Sequence, residues 1–232
     1  MILSVDSLVT GYGTDKVSGP LTFSIAEGEC ILLCGANGCG KTTLMKTISG
    51  LLKPIEGKVI QESGEAVMIP TRIPKVKGFT LEEFIHTAFY ARSSWSGRIS
   101  EKEKKDSLDA MEELGISRLR SRDISLLSDG EFQKGCIASA VARMKGSGGG
   151  ILILDEPTAF LDVDSRAGVL DSLHSLSRNG NTAVLFSSHD IHSSAQKSDR
   201  IISLKGKMMK DSAMEGKDEV LSWAFSSLKT SV

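Results

Sequence analysis

The segment Gly35-Ala36-Asn37-Gly38-Cys39-Gly40-Lys41-Thr42 limits the folds open to this 232-residue chain more than any other. It matches G-x-x-x-x-G-K-[ST] in full and has the flanks that pattern requires. Glu29 to Cys34 reads as an apolar run, the pattern of a strand buried on both faces. Thr42 to Leu51 has helical spacing, with Leu44, Ile48 and Leu51 on one face and Gly50 and Pro54 marking the stop. Strand, glycine loop and helix in this order belong to a mainly parallel α/β sheet. The glycines let backbone amides turn toward phosphate oxygens, and the helix N-terminus adds positive potential. Lys41 is placed to neutralise β and γ phosphates, and the Thr42 hydroxyl to ligate magnesium. Gly35, Asn37, Gly38, Cys39, Gly40, Lys41, Thr42 and Thr43 are therefore the candidate contacts to ATP. Cys39, beside a helix N-terminus and Lys41, is the candidate reactive thiol.

A second apolar strand, Ile151 to Leu154, ends in Asp155 and Glu156. A carboxylate at such a strand end can hold the metal beside the phosphates, so Asp155 joins Thr42 as a candidate magnesium ligand. Glu156 can polarise an attacking water as a general base. Between these motifs, Ser128-Asp129-Gly130-Glu131 reads as S-x-x-E, a capping box that starts a helix running toward Arg143. The same helix start can serve as a second anion site, and the two readings are compatible.

Residues 1–34 read as strands, with Ile2, Val5 and Leu8 set among polar residues and alternation over Leu21–Ile25. Residues 78–145 change character. Leu81, Phe84, Ile85, Ala88 and Phe89 repeat at helical spacing, and Leu108, Met111 and Leu114 do so over Ser107–Gly115. This stretch reads as a helical lobe inserted into a sheet-based core, returned by the flexible run Gly146–Gly150. Ser165 to Arg178 reads as a helix with Asp164 as N-cap and Gly180 as stop. Thr182–Ser187 is a third buried strand, Ile201–Met208 a hairpin turning at Lys205-Gly206, and Asp218–Leu228 a terminal helix.

The chain is 40% apolar and 25% charged, enough for a full core, and its net charge of −1 lacks the basic footprint of a nucleic-acid binder. The run Glu101 to Lys105 mixes signs and reads as a solvated helix face. No apolar run approaches a membrane span, and the first residues do not form a signal peptide. Four cysteines without a CxxC pair argue against disulfides or zinc.

Taken in order, the phosphate loop, L-S-D-G-E at 127–131, the acidic strand and His189 resemble the ATP-binding cassette (ABC) ATPases along nearly the whole chain. The resemblance implies a P-loop NTPase core with an N-terminal antiparallel β subdomain (1–77 and 146–232 together) and an inserted helical subdomain (78–145). It implies that Tyr12 in Gly11-Tyr12-Gly13 stacks on adenine. It implies that Ser128, Gly130 and Glu131 address a γ-phosphate, that Ala159–Asp162 crosses a dimer interface, and that His189 is a switch histidine. Glu156, His189 and Lys41 are then the catalytic candidates. Without the family, a histidine after a buried strand reads as structural; His86, His174 and His192 match no motif and read as structural or surface. The family works as a head-to-tail pair of ATPase subunits, here a homodimer. Hydrolysis moves a permease, so the implied location is peripheral, on the cytoplasmic face of the cell membrane.

LSDGE together with DEPTAFLD at 155–162 looks most like importers of iron-siderophore complexes, haem or vitamin B12. An exporter subunit and a non-transport regulatory cassette are the alternatives. One departure stands out. Thr71, after Pro70, sits where the family carries a glutamine that contacts magnesium and senses the permease, and Gln61 comes too early to replace it.

Overall fold

Strands buried on both faces must be covered on both faces, and this requirement organises the molecule. A computed structural model describes residues 1–90, 99–178 and 181–226. β1 (Leu3–Tyr12), β2 (Asp15–Ile25) and β4 (Glu56–Gln61) form an antiparallel sheet in the order β2-β1-β4. β3 (Cys30–Gly35), β5 (Glu65–Ile69), β6 (Gly150–Leu154), β7 (Thr182–Ser187), β8 (Arg200–Lys205) and β9 (Met208–Asp211) form a second sheet in the order β5-β6-β7-β3-β8-β9. All its pairings are parallel except β8 with β9.

The two-residue period of β3 divides the core in two. Cys30, Leu32 and Cys34 point into one apolar cluster with Leu152, Leu154 and Phe186. Ile31 and Leu33 point into the other, with Ile151, Ile153, Leu185 and the inner face of the antiparallel sheet. α1 (Lys41–Ile48) also packs into this second cluster, through Leu44, Met45 and Ile48. The first cluster is covered by α4 (Asp129–Lys145) and α5 (Val163–Arg178). α2 (Leu81–Tyr90) and α3 (Glu101–Glu113) pack on α4, and all three lie between β5 and β6 in the chain. α6 (Ile191–Gln196), α7 (Ser212–Glu215) and α8 (Lys217–Phe225) are the remaining α-helices among the described residues.

Several local expectations need correction. α1 ends at Ile48, so Leu51 lies beyond it and is 71% exposed rather than packed. α3 begins at Glu101 and so contains the mixed-charge run Glu101–Lys105 as helix, with Ser100 and Glu103 forming a capping box at its start. That start sets the buried face on Ser107, Ala110 and Met111, and leaves Leu108 exposed. α5 is capped by Asp162, whose carboxylate accepts from the Ser165 backbone N–H at 2.9 Å, and not by Asp164. β2 starts six residues before the alternating segment, paired with β1 across a hairpin turn at Gly13 and Thr14. Gly180 and Leu228 lie outside the described residues. The glycines at 148–150 are required by geometry more than by flexibility. Gly150 has φ 136°, and a Cβ there would sit 2.0 Å from the Glu65 carbonyl oxygen.

Candidate functional site

In the sheet order β6-β7-β3, three neighbouring parallel strands end on the same side. Their C-terminal ends deliver Asp155 and Glu156, Ser187 to His189, and the glycine loop. Open α/β sheets bind ligands at this edge.

The loop turns into α1 through Gly40, whose φ of 102° excludes most side chains. A Cβ at Gly40 would also lie 2.8 Å from Val17 Cγ1, so β2 and its hairpin abut the loop. That hairpin carries Tyr12, which is 51% exposed and free to stack on a flat ligand. Asn37 and Gly38 sit on the exposed crest of the loop, and Thr43 is on the buried face of α1. Lys41 is only 7% exposed, and its ammonium donates to the Gly35 carbonyl (2.8 Å) and the Ala36 carbonyl (3.2 Å). An ammonium has three donors, so one remains for a phosphate oxygen. The Cys39 side chain is turned into the core, 9% exposed, against Gly35. This removes the ground for the reactive-thiol expectation, since a reactive cysteine must be reachable. Burial also pushes the Cys30 and Cys136 thiols up to about 12.

Asp155 is 7% exposed and fully engaged. The Thr42 hydroxyl donates to one carboxylate oxygen (2.8 Å) and the Ser187 hydroxyl to the other (2.8 Å). Ser187 Oγ in turn accepts from the Glu156 backbone N–H at 2.9 Å. A buried carboxylate survives only with such donors. Thr42 and Asp155 thus present two hard oxygen donors side by side. Among the described residues no group of three or more His, Cys, Asp or Glu side chains is placed to hold a metal. Magnesium needs no such cage, because it takes one or two protein oxygens and completes its shell with phosphates and water. The donor set fits that ion.

Glu156 has φ 52°, a left-handed conformation that costs a non-glycine residue on the order of 1–3 kcal/mol. The turn aims its side chain away from the strand direction. Its Oε1 lies 2.7 Å from His189 Nε2. The next residue, Asp190, caps α6 and is held below the usual carboxylate range, first by Ser193 and further by Arg166. The base candidate and the histidine therefore touch before any ligand is present.

Ser128 caps α4 as its sequence promised. Its hydroxyl accepts from the Glu131 N–H (3.1 Å), and the Glu131 carboxylate accepts from the Ser128 N–H (3.0 Å). Ser128, Gly130 and Glu131 line a recess of about 300 Å³ that holds no residue of the glycine loop and neither Asp155 nor Glu156. Ser128, Gly130 and Glu131 thus share that recess with none of the candidate phosphate or magnesium contacts. Sequence reasoning missed Ser187, Arg72 and Lys75. Ser187 was readable as a hydroxyl at the end of a strand beside β6. Arg72, with its guanidinium 3.9 Å from the Phe160 ring centroid, and Lys75, bonded to the Leu127 carbonyl (2.8 Å) and Asp129 (2.7 Å), needed the tertiary structure.

Residues 19–159 match the family model described as ABC transporter. The chain is 33% identical over 214 residues to the high-affinity zinc uptake system ATP-binding protein ZnuC of Bacillus subtilis, covering 88% of this chain and 91% of that protein. It is 30% identical to the iron(3+)-hydroxamate import ATP-binding protein FhuC of the same organism, covering 88% and 78%. Its fold is similar to that of an ATP-binding cassette solved as a dimer in a post-hydrolysis state with ADP and phosphate bound. That match has TM-score 0.69 and 23% identity, covering 90% of this chain and 98% of that one.

Proposed function

The chain belongs to the ABC transporter family, and from that premise we propose that it is the ATP-hydrolysing subunit of an importer for a metal ion or metal chelate. One observation supports the chemistry above all: the hydrogen-bonded chain Thr42–Asp155–Ser187 beneath the glycine loop, with Glu156 and His189 beside it. The loop amides and Lys41 bind the β and γ phosphates. Thr42 and Asp155 hold magnesium, which when bound offsets charge on the phosphates. Glu156 accepts the proton of the attacking water, and His189 holds the Glu156 carboxylate in place. Tyr12 stacks on the base.

Ser128, Gly130 and Glu131 address the nucleotide of a second copy, because in their own chain they open onto a separate recess. The dimeric relative supports such a pair, a head-to-tail homodimer, as the working unit. No helix among the described residues is long and apolar enough to cross a membrane. The family reading supplies the transport path from a permease, which holds the subunit peripherally at the membrane. The uptake and import names of the relatives favour import over export. An iron-siderophore cargo is favoured by the LSDGE and DEPTAFLD tracts and by the hydroxamate relative, and a zinc cargo by the more identical zinc relative. Growth of a strain lacking this chain separates them. A defect only when a ferric siderophore is the sole iron source supports the first, and a defect only under zinc limitation supports the second. Normal growth under both conditions contradicts both of these cargoes.

A further inference from the structure

A cavity of about 620 Å³ lies between the loop after β5, the start of α4 and the turn after β6. Thr71 and Glu156 are on its wall, and so is Gln133, one helical turn into α4. The Nε2 atom of Gln133 is buried and has no hydrogen-bond partner. Buried donors are nearly always paired, so one left free beside a reaction site calls for an explanation. Glu156 supplies the complement. Its Oε1 faces His189, while Oε2 has no hydrogen bond among the described residues. Thr71 lines the same space but offers only a short hydroxyl.

We propose that Gln133 is a positioning residue for hydrolysis: as the cavity narrows on ATP binding, its side-chain amide donates to the free oxygen of Glu156 and fixes the plane of that carboxylate. Two donors, His189 and Gln133, still leave lone pairs for the attacking water, because a carboxylate offers about four. The inference rests on the reading of Glu156 as the base. It assigns α4 a task in its own chain, distinct from the one its N-terminus has toward a second copy.

The test is Gln133→Met in the full chain. Methionine keeps the unbranched shape and removes the amide. Deleting an unpaired buried donor leaves stability unchanged or raised, so Tm should hold. The kcat for ATP should fall about tenfold or more with KM within about twofold, the pattern of an interaction made in the transition state. Adding Thr71→Gln, which returns an amide to the same cavity from the opposite wall, should restore most of the lost kcat, a larger factor than Thr71→Gln gives in the otherwise unaltered chain. Unchanged kcat in Gln133→Met, a loss that follows a fall in Tm, or a deficit that Thr71→Gln leaves in place would each overturn the inference. Hydrolysis by the unaltered chain that is lost in Glu156→Gln is the control. Without it the reading of the site fails and takes the inference with it. With it, an unaffected Gln133→Met defeats the inference alone.

Discussion

Glu156 and Thr71 mark the two ends of what single residues decide here. Glu156→Gln removes the base and leaves the phosphate cradle untouched. ATPase turnover should drop by about 10²–10⁴-fold, the range for general base catalysis, while ATP affinity measured by fluorescent-nucleotide titration stays unchanged. A parallel loss of affinity would place Glu156 among the binding groups. Thr71 reaches less far than an amide would, so the isolated subunit should hydrolyse slowly. Thr71→Gln should raise its basal rate, and equal or lower activity with normal ATP affinity would show a site built around threonine. Much of this chemistry was legible from residue type and order alone. Lys41, Thr42, Asp155 and Glu156 converge because buried parallel strands of one sheet end at the same edge, and apolar runs mark those strands. Ser187 escaped notice because a serine closing an apolar run gives no chemical signal until β7 is known to lie beside β6.

At the scale of elements, glycines and caps do the specifying. Gly40 combines φ 102° with close packing on Val17. Gly40→Ala should weaken ATP binding by more than about tenfold, or 1.4 kcal/mol, with the circular dichroism of the folded chain retained. Unchanged affinity would mean the loop tolerates a new path. Ser128 has two roles that substitutions can separate. Ser128→Ala removes the cap and should cost about 0.5–2 kcal/mol in denaturant unfolding. Ser128→Arg should abolish hydrolysis beyond any loss of fold, because a bulky cation occupies the face offered to a second nucleotide. If activity per folded molecule is unchanged, the capping box is the whole role of that serine. The buried strands and the α4 start were readable because apolar period and capping chemistry are local. β4 was not, since its residues are almost all exposed and it is held by pairing to β1 alone. The start of α5 was misplaced for a related reason. Asp162 and Asp164 compete to cap that helix, and only the geometry selects Asp162.

For the whole molecule, the separation of Ser128 from the glycine loop is the central fact. On the proposed reading the two are halves of one nucleotide site that line no common recess, and a second chain completes it. Exposed apolar residues at Leu126 (65%), Phe160 (53%) and Val163 (77%) flank the start of α4 and the turn after β6, consistent with a surface that is covered in use. The measurement that tests this most directly is the mass of Glu156→Gln in solution by light scattering after size exclusion, with and without saturating ATP. ATP should convert it from one chain to two, and adding Ser128→Arg should abolish the conversion while leaving ATP binding intact. A monomer at saturating ATP, or a dimer indifferent to Ser128→Arg, would contradict the account.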